Sequence, residues 1–153
     1  MKDSDIRWLE RFAGENKWSR KRELHSTTRK ENINRLYGEL YSERECRGVY
    51  AILWNRPVNR CVGRSRILYV GHSHRTSVQR RLECDANPRY RERGVYDDLE
   101  WFKRLVAREG KSTKVFFTYL RTRSDRAKSK EREILLAYEK RYAELPPFNR
   151  IIS

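Results

Sequence analysis

Gly48-Val49-Tyr50-Ala51-Ile52-Leu53-Trp54 and Ile67-Leu68-Tyr69-Val70-Gly71 are the stretches from which the fold of this 153-residue chain is read. The first is a nearly continuous apolar run, the pattern of a strand covered on both faces. The second is a shorter returning strand ended by its glycine. Between them Asn55-Arg56-Pro57 breaks the run and opens an expected hairpin loop from Asn55 to Arg66, with Gly63 inside it. From Glu45 to Glu83 every charged side chain in between is an arginine: Arg47, Arg56, Arg60, Arg64, Arg66, Arg75, Arg80 and Arg81. Such a surface attracts phosphate strongly.

Downstream, Lys114 to Leu120 reads as a third strand from its β-branched and aromatic content. Helices surround these strands. Ile6, Leu9 and Phe12 recur at helical steps with Trp8 beside them and Gly14 as a stop. Ile33, Leu36, Tyr37, Leu40 and Tyr41 mark a second helix, beginning near Ser26. Between the two, Trp18-Ser19-Arg20-Lys21-Arg22 reads equally as a DNA-backbone contact or as a solvated face with Trp18 packed down. His72 to Ser77 reads as a turn in which Thr76 or Ser77 caps a helix bearing Val78 and Leu82. Asp97 opens a helix carrying Leu99, Phe102, Leu105 and Val106 and ending at Gly110. A last helix is expected from about Ala127 to Tyr142, with Leu145-Pro146-Pro147-Phe148-Asn149 closing the domain. The fold class is therefore α+β, with residues 1–46 as an N-terminal helical extension packing on the core or contacting DNA, and 47–153 as the main domain.

The formal net charge of +15 points to a polyanionic partner, most often nucleic acid. The excess is uneven: residues 1–47 hold 12 basic and 9 acidic side chains, residues 48–153 hold 24 and 12, so the positive field belongs mainly to the second part. Cys46, Cys61 and Cys84 are odd in number and have no CxxC spacing, which argues against a disulfide framework and fits a reducing, cytoplasmic setting. Adding His72 and His74 does not produce the tight pairs of a structural zinc site. No apolar run reaches the length of a membrane span, so no membrane partner is expected.

Gly48-Val49-Tyr50, the strand ending Tyr69-Val70-Gly71, an arginine on the following helix, a glutamate on a later helix and an asparagine soon after resemble the GIY-YIG nucleases. The resemblance covers residues 48 to 150. It implies a small central antiparallel three-stranded sheet flanked by helices, a single Mg²⁺ (or Mn²⁺), and hydrolysis of a DNA phosphodiester. The residue types suit that chemistry: a water must be oriented and deprotonated, the phosphate needs positive charge around it, and a carboxylate must hold the metal.

By the resemblance, Tyr50 is the general base or water-orienting hydroxyl, with Tyr69 beside it. The catalytic arginine of the family precedes one apolar residue and stands three after another. Arg81, between Val78 and Leu82, meets this; Arg80 is then a flanking phosphate contact or a solvated residue. The family's glutamate shares a helix face with apolar residues three, four and seven positions on. Glu131 does so with Ile134, Leu135 and Tyr138, whereas Glu133, the alternative, faces Leu136, Ala137 and Lys140. Asn149 corresponds to the family asparagine that fixes site geometry by hydrogen bonding. His72 occupies the place of a proton donor or phosphate contact. Asp85 departs from relatives that carry a histidine or tyrosine one turn after the arginine. The 18 residues between Tyr50 and Tyr69 form an enlarged interval, assigned to DNA contact through Arg56, Arg60, Arg64 and Arg66, with Arg75 and Arg80 beyond it. The implied function is a restriction-like or mobile-element endonuclease, and a homodimer on DNA is one way for single-site chains to cut both strands. A structure-specific repair or junction nuclease, and a non-catalytic nucleic-acid-binding protein on the same scaffold, are the alternatives.

Overall fold

The computed structural model describes residues 4–24, 47–73, 102, 104–110 and 112–149. The apolar run lies at the centre of an antiparallel sheet whose strands are β1 (Arg22–Leu24), β2 (Gly48–Asn59), β3 (Arg64–Ser73) and β4 (Val115–Arg121), in the order β1-β4-β2-β3. Helix α1 (Ser4–Glu10) precedes the sheet, and a 3₁₀ turn (Ser124–Arg126) leads into helix α2 (Ala127–Tyr142), the span expected from its periodicity. Residues 104–108 are also helical, within the helix expected to end at Gly110. The expected helices at 26–41 and 76–82, the start of the helix at Asp97, and Cys46, His74, Arg75, Arg80, Arg81, Cys84 and Asp85 lie outside the described residues.

All three strands read from the sequence are present as the central antiparallel sheet β4-β2-β3, and a short fourth strand, β1, adds to its β4 edge. β4 would otherwise present an open edge, and the segment after α1 covers it. Ser19 N donates to Tyr119 O at 2.8 Å, Thr118 Oγ1 donates to Ser19 O at 2.7 Å, and Trp18 bridges Leu120 before β1 pairs with residues 115–117. Trp18 is packed down, its indole N–H donating to Leu9 O at 2.7 Å.

The expected Asn55–Arg66 loop is also corrected. β2 continues to Asn59 and β3 starts at Arg64, so that Val58 pairs with Ser65 and Asn59 with Arg64. The register breaks between Leu53 and Val58, around Pro57, which has no N–H for a ladder. The turn is tight: Arg60 N donates to Gly63 O at 2.9 Å, and Gly63 has the left-handed φ of 74° that its lack of a side chain permits. It is also docked. Val62 N donates to Tyr142 O at 3.1 Å, satisfying a carbonyl at the end of α2, and Cys61 N donates to Glu144 Oε1 at 2.7 Å.

Two apolar layers cover the sheet. On one face Tyr50, Ile52, Trp54, Leu68, Val115 and Phe117 pack with Val106, Phe102 and Phe148. On the other, Val49, Ala51, Leu53, Ile67 and Val70 pack beneath Ile134, Leu135 and Tyr138 of α2 and Trp8 and Leu9 of α1. Every residue from Gly48 to Trp54 is buried, as a central strand between two layers requires. Asp5 fastens α1 to β3 by accepting from Ser65 Oγ and Arg66 N, each at 3.1 Å.

Candidate active site on β3

Four consecutive residues of β3, Tyr69-Val70-Gly71-His72, carry or touch Tyr50, Tyr69, His72, Glu131 and Asn149, the catalytic residues expected within the described part of the chain. The strand continues through Gly71 and His72, where the sequence reads as a strand end and a turn, so these positions hold ladder geometry. Tyr50 pairs with Gly71 across the β2–β3 ladder. A Cβ on Gly71 would stand 2.6 Å from Tyr50 Cζ and Oη and 2.7 Å from Tyr69 Cε1. The glycine is thus the floor on which both rings rest. Their centroids are 6.0 Å apart at an interplanar angle of 45°.

A bulge makes this pairing possible. Ile52 pairs with Tyr69 and Leu53 with Ile67, leaving Leu68 without an opposite residue. An unbroken alternation from Ile67 would turn Tyr69 toward α2; the extra residue puts it on the face of Tyr50 instead. Tyr119 of β4 lies opposite Tyr50 on the other side of β2, so tyrosines of three adjacent strands share this face. Tyr119 was not among the residues singled out in the sequence, because register between strands distant in the chain has no local signal.

Asn149 sits on the outer edge of β3. Its amide donates to Val70 O at 2.8 Å and its carbonyl oxygen accepts from Val70 N at 2.9 Å, while Phe148 N donates to Leu68 O at 2.9 Å. The side chain completes the hydrogen bonds of the middle residue of Tyr69-Val70-Gly71. The prolines at 146 and 147 and the bond from Asn149 N to Pro146 O, 3.0 Å, bring it there.

On the α2 face, His72 Nδ1 contacts Glu131 Oε2 in a direct ion pair or hydrogen bond. Glu131 is only 7% exposed, in the same stripe of α2 as Ile134, Leu135 and Tyr138. Glu133 is different: its side chain is 54% exposed and pairs with Lys130 at 3.0 Å. Helical phase therefore separates the two carboxylates as the apolar spacing indicated. The Tyr50–Tyr69 pair and the His72–Glu131 pair lie on opposite faces of the sheet. They are joined through the backbone of Gly71 and His72. Tyr50 is fully buried and Tyr69 partly exposed.

The arginines of the hairpin divide. Arg56 and Arg64 are exposed. Arg60, expected to contact DNA, turns inward: its side chain is 9% exposed, donating to Leu145 O at 2.5 Å and pairing with Glu144 at 3.1 Å. Arg66 is half-buried beside Asp5. Exposed Cys61 in the turn and His72 near the far end of β3 are separated by most of a ten-residue strand, roughly 25 Å, so one ion cannot bind both.

A metal fit rests on Glu131. Among the described residues no three His, Cys, Asp or Glu side chains cluster as ligands. Mg²⁺ keeps several waters and is commonly held by one or two carboxylates, so a single sheltered carboxylate fits it. No helix among the described residues is long and apolar enough to cross a membrane. Comparison of the chain with protein-family models, curated proteins and solved structures gave no match, so the likeness to GIY-YIG nucleases stands on the residues and their arrangement.

Proposed function

We propose that this protein is a DNA endonuclease that hydrolyses phosphodiester bonds with one Mg²⁺ or Mn²⁺, in the manner of the GIY-YIG nucleases it resembles. The observation that carries this reading is the convergence of Tyr50, Tyr69, Asn149 and Glu131 on the four residues Tyr69–His72. The reacting phosphate would lie at the C-terminal end of β3, where the strand no longer separates its two faces. Tyr69, the more exposed of the two rings, would orient the attacking water, with the Tyr50 hydroxyl beside it. Glu131 would hold the metal, and His72 would fix the carboxylate. The bound ion would supply positive charge to the phosphate oxygens as charge develops in the transition state. Asn149 would keep Val70, and so both neighbouring residues, in register. Arg81 would add a guanidinium to the phosphate.

A plasmid-nicking assay with and without Mg²⁺ tests the reading. The parent protein should convert supercoiled DNA to nicked product only with the metal, and Glu131→Gln should lose activity by a factor on the order of 100 or more while still binding DNA. Glu133→Gln should retain activity within about threefold, since its carboxylate lies at the surface. One observation favours a second reading, a non-catalytic nucleic-acid-binding protein: Tyr50 is fully buried, and the two side-chain pairs sit on opposite faces. Tight DNA binding by the parent with no cleavage under either Mg²⁺ or Mn²⁺ would establish that reading instead. Parallel assays on RNA of matched sequence would identify an RNA-directed enzyme.

A further inference from the structure

We infer that the groove between α1 and the outer side of α2 binds the phosphodiester backbone of DNA at a distance from the cleaved bond. The groove has a volume of about 650 Å³ and is lined by Trp8, Arg11, Phe12, Glu133, Lys140 and Arg141. Arg11, in the turn that follows α1, stands on one wall and Lys140 and Arg141 on the α2 wall, all three exposed. Cations on both sides of a trough suit a linear polyanion running along it. The one carboxylate, Glu133, is already neutralised by Lys130 at 3.0 Å. Arg141 is held in place by stacking over Tyr142, 5.3 Å from the ring centroid. Trp8 and Phe12, packed edge to face with centroids 4.9 Å apart, give the floor an apolar surface for sugar rings. A nucleic acid fits better than an acidic peptide because the whole chain carries +15, and its positive field is not confined to the groove.

Helical phase separates this groove from the site on β3. Glu131, Ile134, Leu135 and Tyr138 face the sheet, whereas Glu133, Lys140 and Arg141 lie on the outer side of α2. From Glu131 to Arg141 the axis advances about 15 Å, equal to about four base pairs of duplex, and the groove also lies around the helix from Glu131. DNA engaged at β3 must therefore run on by more than about four base pairs to reach it. This inference rests on the nucleic-acid half of the proposed function and not on cleavage.

The test is duplex binding by fluorescence anisotropy in the non-cleaving Glu131→Gln background, with Arg11→Gln, Lys140→Gln and Arg141→Gln combined. For a duplex of about 30 base pairs the triple change should weaken binding by about 10-fold or more and reduce the slope of log K against log salt by about 2 to 3. Glu133→Lys, which adds a cation to the groove, should strengthen binding of the long duplex, and melting curves should show all variants folded. An unchanged affinity or an unchanged salt slope in the triple variant would overturn the inference. So would a polyglutamate peptide whose binding is lost in the triple variant while duplex binding is not, which would make the groove a site for an acidic protein. Absence of any duplex binding would overturn both the groove and the nuclease. Binding that behaves as expected in a parent protein that never nicks would remove the nuclease and leave the groove.

Discussion

At the scale of single residues, the two glycines of the tyrosine-bearing strands are fixed by contact, and their costs should differ. A Cβ on Gly48 would stand 2.0 Å from Leu120 O and 2.9 Å from Thr122 N, both backbone atoms of the neighbouring strand and its exit. A Cβ on Gly71 meets the outer atoms of two tyrosine rings, which can tilt. Gly48→Ala should therefore cost about 3 kcal/mol or more, and Gly71→Ala about 1–2 kcal/mol, because side chains yield where a strand backbone cannot. Chemical denaturation checks the order. In the nicking assay Gly71→Ala should lose more activity than its stability loss accounts for, since it displaces Tyr50 and Tyr69 together. Tyr138 provides a second measurement. Burial raises its hydroxyl to about 12 from 10.0, with Ser65 and Arg60 opposing the shift. Ser65 donates its proton to Asp5, and among the described residues no group stands in hydrogen-bonding geometry with Tyr138 Oη. A folded-state pKa above the unfolded value means that the folded chain holds the proton longer. Its contribution to stability is then complete below pH 10 and is lost as pH rises toward 12. Tyr138→Phe should leave stability near pH 7 within about 1 kcal/mol, because it removes no made hydrogen bond, and should flatten the alkaline fall. Urea midpoints from pH 8 to 11 would show it.

At the scale of elements, some features are local and readable, others not. α2 matches its expected span because a 16-residue amphipathic pattern and a Pro-Pro stop are written within the segment itself. The Gly-Val-Tyr and Tyr-Val-Gly strands are equally local. The bulge at Leu68 is not, since one apolar residue in an apolar run carries no mark of being unpaired, yet it decides which face Tyr69 occupies. The hairpin misled the reading for a related reason. Arg56, Pro57 and Arg60 look like loop residues, but a register shift absorbs Pro57 and Glu144 and Leu145, just after α2, accept from Arg60. That Glu131 faces the packed sheet and Glu133 the surface was legible because it depends on helical phase alone. Two predictions belong to these elements. Ala143, the residue after α2, takes a left-handed φ of 60° while its N–H bonds Glu139 O at 2.8 Å. Ala143→Gly should raise stability by about 0.5–1 kcal/mol by relieving that conformation. Arg60→Ala should instead lose about 1–3 kcal/mol, since it leaves Leu145 O and Glu144 without their partner, while exposed Arg64→Ala should cost less than about 0.5 kcal/mol. Comparing their melting curves with their affinities for DNA would separate an arginine that holds the fold from one that faces a ligand.

At the scale of the whole molecule, charge and fold are distributed differently. The core is ordinary: two apolar layers on a four-stranded sheet, with the buried carboxylate of Asp5 tied to Ser65 and Arg66. The surface is unusual, with 36 basic side chains against 21 acidic ones. An excess of +15 destabilises the compact state by self-repulsion unless counterions or a polyanion screen it. Salt should therefore act in opposite directions on folding and on binding. Between about 50 and 200 mM salt the affinity for duplex DNA should fall by a factor on the order of 10³ if six or more phosphates are contacted, because each contact releases condensed counterions. Over the same interval thermal stability should rise or hold, because the repulsion is screened within a Debye length near 10 Å. Measuring both on one preparation distinguishes a phosphate-directed surface from a merely basic one. A binding slope near zero alongside a rising melting temperature would mean that the positive field serves solubility, and the proposed function would then lose its electrostatic basis while the geometry at Tyr69–His72 stood unexplained.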